Sequence, residues 1–177
     1  MGFALGTIRG FRRWAVTVNG ELKSPFRSIG TALWLPGENV AKCQAHPSAE
    51  VVERKRDDED FAGYYARVEE WRGSHDVTDC SHGFYAYFDG KEEDHRDPAV
   101  SGVIEGYGEV LIGTKGFRAM KARIVALAIK PHDGVWNLEP LIVSRLRANY
   151  PSIPVFDSEM VMRSEFPCPV YAESVTT

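Results

Sequence analysis

The sequence predicts an α+β fold in which an antiparallel sheet or partial β-barrel is flanked by two or three helices. Three observations support this. An Asn-Gly pair follows an alternating strand pattern, two long strand patterns are joined by a short glycine-bounded turn, and helical periodicity is confined to separate stretches. Strands in runs, with helices set apart from them, are typical of the α+β class. The chain has 177 residues, 44% hydrophobic and 26% charged, which fits one globular domain spanning residues 1–177.

Short antiparallel strands are expected in the N-terminal part of the chain. Residues 10–18 alternate between apolar and polar types, and Asn19-Gly20 follows directly. Asn-Gly between two strand patterns is a strong hairpin signal, because a type I′ turn needs positive φ at both central positions. The return strand is expected at 21–24, and further short strands at 31–35 and 40–43.

The clearest helix is predicted over 57–72. Apolar and aromatic residues recur there at the 3.6-residue period, at Phe61, Tyr64, Tyr65, Val68 and Trp71. Acidic residues at 57–60 precede the stripe, where the helix dipole favours negative charge. Core packing of the stripe is favoured over a ligand platform. We interpret 47–73 as an acidic helical insertion that offers a contact surface for a partner.

The C-terminal half contains the strongest strand signal. Residues 103–112 and 117–129 both alternate, and 113–116 reads Gly-Thr-Lys-Gly, so the two segments predict one antiparallel ribbon. The end of the second strand, 125–129, is apolar on both faces and is expected to be central. The Gly106-x-Gly108 pair inside the first strand indicates a bulge or a close backbone approach.

A second helix is expected over 138–146, after the ribbon. Asn137 is its predicted N-cap, and Pro140 lies in the first turn. Residues 157–177 are rich in Pro and Ser and are expected to form a partly ordered tail.

Charge and cysteine content exclude some classes of protein. The net charge of −4 disfavours a general nucleic-acid binder. The charge is unevenly distributed: residues 46–100 carry fifteen acidic and seven basic residues, whereas residues 1–45 are basic overall. Three cysteines form a poor disulfide framework, so we expect a reducing, cytoplasmic setting. No stretch approaches the roughly 18 apolar residues of a membrane span, and no secretory signal pattern is present.

One constellation of soft ligands predicts a zinc site. Cys43 is followed by His46, and His75 precedes Cys80 and His82. Zinc prefers thiolate and imidazole ligands, and a closed tetrahedron of them is structural. Cys80 and His82 are two residues apart, so they point the same way on an extended chain. Cys43 would supply the second thiolate, and either His46 or His75 the fourth ligand.

The same residues allow an enzymatic alternative. Cys80 could act as a nucleophile with a nearby histidine as its base, or three of the ligands could hold a zinc ion with an open position. Either arrangement would make the protein a small thiol- or zinc-dependent hydrolase acting on a nucleotide or peptide bond.

A basic surface is the other candidate site. Its members are strand residues with arginine beside aromatic side chains, namely Arg12, Trp14, Arg118, Lys121 and Arg123. Arginine beside aromatic rings suits contacts with a partner, including phosphate or nucleobase groups. Solvent-facing charges that protect a strand edge are the simpler interpretation.

The order of several short motifs resembles a family of small uncharacterised proteins from actinobacteria and their phages. The resemblance covers roughly residues 10–155 and lies in these segments: Gly-Phe-Arg-Arg-Trp at 10–14, Trp-Leu-Pro-Gly at 34–37, Ala-Lys-Cys at 41–43, Cys-Ser-His-Gly-Phe-Tyr-Ala at 80–86, Gly-Val-Ile-Glu-Gly-Tyr-Gly-Glu-Val at 102–110 and Gly-Phe-Arg-Ala at 116–119. The family pattern has Cys-x-Cys-Gly-x-Tyr-Ala, so His82 stands in the place of a cysteine.

This substitution bears on the metal site. A zinc site tolerates exchange of cysteine for histidine, whereas a disulfide does not. The resemblance therefore favours zinc, with Cys43, His75, Cys80 and His82 as ligands. It also implies a phage or prophage origin, but no function. The acidic insertion and the aromatic helix are candidate contact surfaces, and we expect a non-enzymatic, zinc-stabilised binding module that docks on a host or phage protein.

Overall fold

A computed structural model describes residues 2–3, 6–24, 33–41, 60–74, 82–90, 100–129 and 138–168. These residues contain eight strands and three helices, and the fold is α+β. The strands are β1 (Gly2–Phe3), β2 (Ile8–Val16), β3 (Leu22–Lys23), β4 (Asn39–Val40), β5 (Phe84–Tyr87), β6 (Val100–Ile112), β7 (Gly116–Ile129) and β8 (Val155–Phe156), and the helices are α1 (Phe61–Ser74), α2 (Pro140–Asn149) and α3 (Glu159–Glu165).

Four strands form a partial ring. The long β6–β7 ribbon pairs with β2 along β6 and with β5 along β7, and all these pairs are antiparallel. The single pair between Phe11 and Tyr87 then joins β2 to β5. The short strands β1, β3 and β4 extend this sheet at its margins, and β8 pairs with β7 in parallel.

The ring encloses a core of apolar side chains. Trp14, Ile104 and Leu127 point inward and are fully buried. Tyr150, at the end of α2, closes one side of this core: its hydroxyl accepts a hydrogen bond from the Leu22 backbone N–H (3.0 Å) and donates one to the Trp34 carbonyl (2.7 Å). These buried polar contacts fix the end of α2 against β3.

A smaller apolar cluster lies on the outer face of the ribbon. Met162 of α3 is buried there against Val103 and Ala126. Arg163 holds the helix in place, because its guanidinium lies 4.1 Å from the Phe11 ring centroid and donates to the Asp89 carbonyl (2.9 Å). The first part of the C-terminal tail, residues 157–177, therefore contains a helix, α3, where the sequence predicts only partial order.

The two strong strand predictions are confirmed, with local differences. The first hairpin forms and pairs Val16 with Leu22, but the two-residue turn at Asn19-Gly20 is wrong. The Thr17 N–H donates to the Glu21 carbonyl (2.9 Å), so the loop holds the three residues 18–20, with Gly20 at φ 77°. The ribbon has the expected turn, closed by a 2.8 Å hydrogen bond from the Gly113 N–H to the Gly116 carbonyl. Gly108 has φ 74° at a register shift in β6, which is the bulge that the glycine pair predicts.

The bulge has a consequence for β7. Phe117 and Ala119 are buried, and so are Ala122 and Ile124, so the inward-facing positions change from odd to even between 119 and 122. A strict two-residue alternation along the whole strand is therefore wrong, and the change lies beside the register shift at residues 107–110 of β6.

The helices begin at different residues from those expected. Helix α1 begins at Phe61, where Asp60 accepts a hydrogen bond from the Gly63 N–H (2.7 Å) and caps the helix. Within its aromatic stripe Val68 is buried, but Phe61 and Tyr65 are exposed, so core packing accounts for only part of the stripe.

In α2 the N-cap is Glu139, followed by Pro140; Asn137 lies outside the described residues. None of the described helices is long and apolar enough to cross a membrane.

Candidate functional site

Most of the predicted zinc site falls outside the described residues. Of the predicted ligands, Cys43, His75 and Cys80, and the alternative ligand His46, belong to segments whose structure is not described, and only His82 can be placed. The described residues alone contain no group of three or more His, Cys, Asp or Glu side chains that could hold a metal ion. The zinc site therefore stays a prediction.

His82 lies two residues before the start of β5. The residue is half-buried, and both of its ring nitrogens are shielded from solvent. Gly83 follows with φ 135°, and a Cβ there would approach the Arg118 Cγ at 2.6 Å, so glycine lets the chain turn closely past this side chain.

The predicted basic surface is divided between the inside and the outside of the ring. Trp14 is fully buried, and Arg12 is also buried. The Arg12 guanidinium donates to the Tyr85 carbonyl (2.6 Å) and lies 4.9 Å from the Trp34 ring centroid. Both residues occupy inward-facing positions of β2, so they brace the core and do not contribute to an exposed surface. Residues two positions apart on a strand share a face, so Arg12 lies on the same inward face as Trp14.

Two of the remaining basic residues, on the outer face of β7, are paired with carboxylates. Lys121 forms an ion pair with Glu38 (3.4 Å), and Arg123 forms one with Glu105 (2.6 Å). Glu105 also pairs with Arg9 of β2 (2.9 Å). Arg9 of β2, Glu105 of β6 and Arg123 of β7 lie side by side, because Glu105 is in register with both arginines.

The Glu105 carboxylate is nearly buried between its two arginines. Burial alone raises the pKa of Glu105, but hydrogen bonds and charge from Arg123 and Arg9 outweigh burial, and the pKa is lowered. A carboxyl group with a lowered pKa stabilises the fold while it is ionised. This contribution to stability is fully present at pH values above the ordinary carboxyl pKa of 4.5. It is lost as the pH falls through the lower pKa of Glu105 in the folded protein.

We predict that Glu105→Gln lowers the free energy of unfolding by about 1–3 kcal/mol at pH 7, because charge-assisted hydrogen bonds to both arginines are lost. Urea unfolding of the wild type and the variant at several pH values measures this difference. The difference should shrink below the ordinary carboxyl pKa. Glu165→Gln, at an exposed position of α3, is the matched control and should be near neutral. A difference that stays the same from neutral to acid pH would contradict the ion-pair explanation.

An open pocket lies between β5 and the β6–β7 turn. Its volume is about 340 Å³, and its lining is mostly apolar. Tyr85 and Tyr87 contribute from β5, and Leu111 and Ile112 from β6. The volume is at the lower end of the roughly 300–1,000 Å³ typical of ligand pockets, which suits a small molecule or a single inserted side chain.

Basic side chains line the same pocket. Arg118 lies across from Tyr85 on the paired strand, with its guanidinium 5.7 Å from the tyrosine ring centroid and a 3.2 Å hydrogen bond to the tyrosine hydroxyl. Lys115 is in the β6–β7 turn, and its carbonyl accepts a hydrogen bond from the Phe88 N–H (3.0 Å). Of the basic residues singled out in the sequence, Arg118 is therefore the one that reaches the pocket.

The sequence did not indicate this pocket. Its walls come from two segments about 25 residues apart, and the sequence near β5 drew attention only through the predicted zinc ligands Cys80 and His82. The available signals were the Tyr-Ala-Tyr alternation at 85–87 and the Gly-Thr-Lys-Gly turn. Neither signal shows that the two segments pair.

Cys168 is the cysteine that the structure describes, and it is half-buried beside α3. Burial raises the pKa of its thiol to about 11. Because the thiolate is the nucleophilic form, this side chain is not activated at neutral pH.

Comparisons of the chain with protein-family models, with curated proteins and with solved structures found no match.

Proposed function

We propose that the protein is a non-enzymatic binding module that docks on a host or phage protein, and that the pocket between β5 and the β6–β7 turn receives a side chain of this partner. The pocket is the observation that carries the proposal. It is open and mostly apolar, and it has aromatic and aliphatic walls. A concave apolar site with a few polar groups at its rim is the usual form of a binding site.

The walls of the pocket are built from paired strands. Tyr85 pairs with Arg118 and Tyr87 with Gly116, while Leu111 pairs with Arg118 on the other side of β7. A site on paired strands loses less conformational entropy on binding than a site on loops, and this preorganisation favours affinity.

Phenylnaphthylamine, an uncharged fluorescent probe with two aromatic ring systems, tests the pocket. We expect it to bind the folded protein with increased emission. Tyr85→Ser should weaken binding roughly fivefold, because an aromatic contact contributes about 1 kcal/mol. Tyr65→Ser is the matched control, since Tyr65 is an exposed tyrosine on α1 that does not line the pocket.

Thermal unfolding of both variants shows whether the fold is intact, which matters because such probes also bind partly unfolded protein. If phenylnaphthylamine does not bind, or if both variants bind it as the wild type does, the pocket is not a binding site and the proposed function is wrong.

Zinc is the second part of the proposal. We propose that Cys43, His75, Cys80 and His82 hold one structural zinc ion in a reducing, cytoplasmic environment. The support is the sequence constellation together with the half-buried position of His82. A structural zinc ion would tie residue 43 to residues 75–82 and so fix the entry to β5.

Metal analysis of protein purified without added metal measures this. We expect about one zinc per chain in the wild type, and we expect a chelator to lower its melting temperature. Cys80→Ser should contain no zinc, and the chelator should leave its melting temperature unchanged. Cys168→Ser is the matched control and should retain the metal. Less than about 0.2 zinc per chain, with melting unchanged by chelator, would refute the zinc site.

A further inference from the structure

We infer that the pocket selects an anionic aromatic group, and that its occupant is a partner segment with an aromatic side chain next to carboxylates. This inference rests on the proposed function and specifies the chemistry of the partner. It depends on the juxtaposition of the aromatic wall with Arg118 and Lys115 at one pocket.

The aromatic wall recognises the ring of the ligand. Tyr85 and Tyr87 lie two residues apart on β5, so both rings project from the same face of the strand. Leu111 and Ile112 also line the pocket and add to its apolar surface. Aromatic ligands pack well against such walls, because offset-stacked and edge-to-face contacts are both available.

The two cations recognise the acid group. The Arg118 guanidinium is held near the Tyr85 ring by the contact at 5.7 Å and by the hydrogen bond to the hydroxyl, so its position is fixed relative to the aromatic wall. Its planar group presents several N–H donors, which suit a carboxylate. Lys115 adds a second positive charge from the turn.

The charged side chains among the described lining residues are cationic. They belong to Arg118 and Lys115, and no acidic residue is among the described residues that line the pocket. Cations at the rim of a low-dielectric concavity concentrate anions there. An acidic segment therefore complements the rim electrostatically, whereas a basic segment would be repelled.

The test compares two probes that share their rings. Anilinonaphthalene sulfonate carries the two ring systems of phenylnaphthylamine plus one sulfonate, so the ratio of their dissociation constants reports the effect of the anion. We expect the sulfonate to bind roughly fivefold more tightly, with a preference that declines as salt is added. Arg118→Gln and Lys115→Gln should each reduce the preference, and Arg118→Lys should restore part of it.

Arg147→Gln is the matched control. Arg147 is an exposed arginine on α2 that pairs with Asp157 and does not line the pocket, so the preference should be unchanged. If both probes bind equally, or if Arg118→Gln leaves the ratio unchanged, the inference is wrong while the proposed function stands. If neither probe binds, the proposed function itself fails.

Two synthetic peptides identify the source of the ligand. Acetyl-Asp-Glu-Phe-Glu-Asp-amide contains the expected ring and acids, and acetyl-Asn-Gln-Phe-Gln-Asn-amide contains the ring alone. We expect the acidic peptide to displace anilinonaphthalene sulfonate and the neutral peptide to do so at least fivefold less well, by an estimate of about 1 kcal/mol for the charges. Failure of the acidic peptide to displace the bound sulfonate would overturn the assignment to a partner segment.

Discussion

Replacing Trp14 with alanine is expected to lower the free energy of unfolding by about 3–5 kcal/mol, the range for truncating a large buried aromatic side chain. The indole of Trp14 is fully buried inside the ring and makes an edge-to-face contact with Trp34, at 5.3 Å between ring centroids. Removing it leaves a cavity between β2, β6 and β7, because paired strands cannot close inward to fill the space.

Urea unfolding measures this effect as a shift of the transition midpoint at constant slope. Val18→Ala is the matched control, because Val18 lies on the same hairpin and its side chain is 70% exposed. The control should change stability by less than about 0.5 kcal/mol. A loss of less than about 1 kcal/mol for Trp14→Ala would mean that the interior of the ring is not packed as described.

Replacing Gly102 with alanine is the second large effect that we expect. A Cβ at this position would overlap the Ala126 carbonyl oxygen and would approach the Trp14 ring at 2.9 Å and Leu127 Cδ2 at 3.1 Å. The carbonyl belongs to the β6–β7 ribbon and cannot move without disturbing the pairing. We expect a loss of about 1–3 kcal/mol from overpacking.

Gly37→Ala separates this effect from the general influence of glycine on chain entropy. A Cβ at Gly37 would meet no atom within 4 Å, so this variant should be neutral or slightly stabilising. The two alanine variants are compared by urea unfolding under the same conditions. Equal effects of the two substitutions would contradict the close approach at Gly102.

Elements stabilised by local sequence could be predicted. The ribbon 103–129 was indicated by two long alternating patterns around a glycine-bounded turn, and the first hairpin by Asn19-Gly20. In both cases the signal and the contact lie close together in sequence, so local pattern and tertiary pairing agree. The helix near residues 61–74 was also predicted, and its start differs because Asp60 provides the cap.

Elements that depend on distant contacts could not be predicted. Strand β8 has two residues, and α3 has seven. β8 is held by its pairing with β7, and α3 by the packing of Met162 against Val103 and Ala126 of the ribbon. The burial of Arg12 is a similar case. The two-residue period places Arg12 on the same face as Trp14, but its burial also depends on the Tyr85 carbonyl and the Trp34 ring, which lie far away in the sequence.

The pocket also follows from closure of the ring. Strand β5 lies beside β7 because four residue pairs align there, from Phe84–Ala119 to Tyr87–Gly116. A side chain at position 116 would collide with the Ala86 carbonyl, so glycine at this position permits the pairing. A single sequence shows the glycine, but it does not show which strand approaches it.

NMR of methyl-labelled protein titrated with anilinonaphthalene sulfonate tests the central claim, that this pocket is a binding site, most directly. Leu111 and Ile112 line the pocket, whereas Leu127 and Leu146 are buried elsewhere in the core. We predict saturable shifts of the Leu111 and Ile112 methyl signals, with those of Leu127 and Leu146 unchanged. Shifts spread evenly over all four residues, or no shift at Leu111 and Ile112 despite binding, would contradict the account.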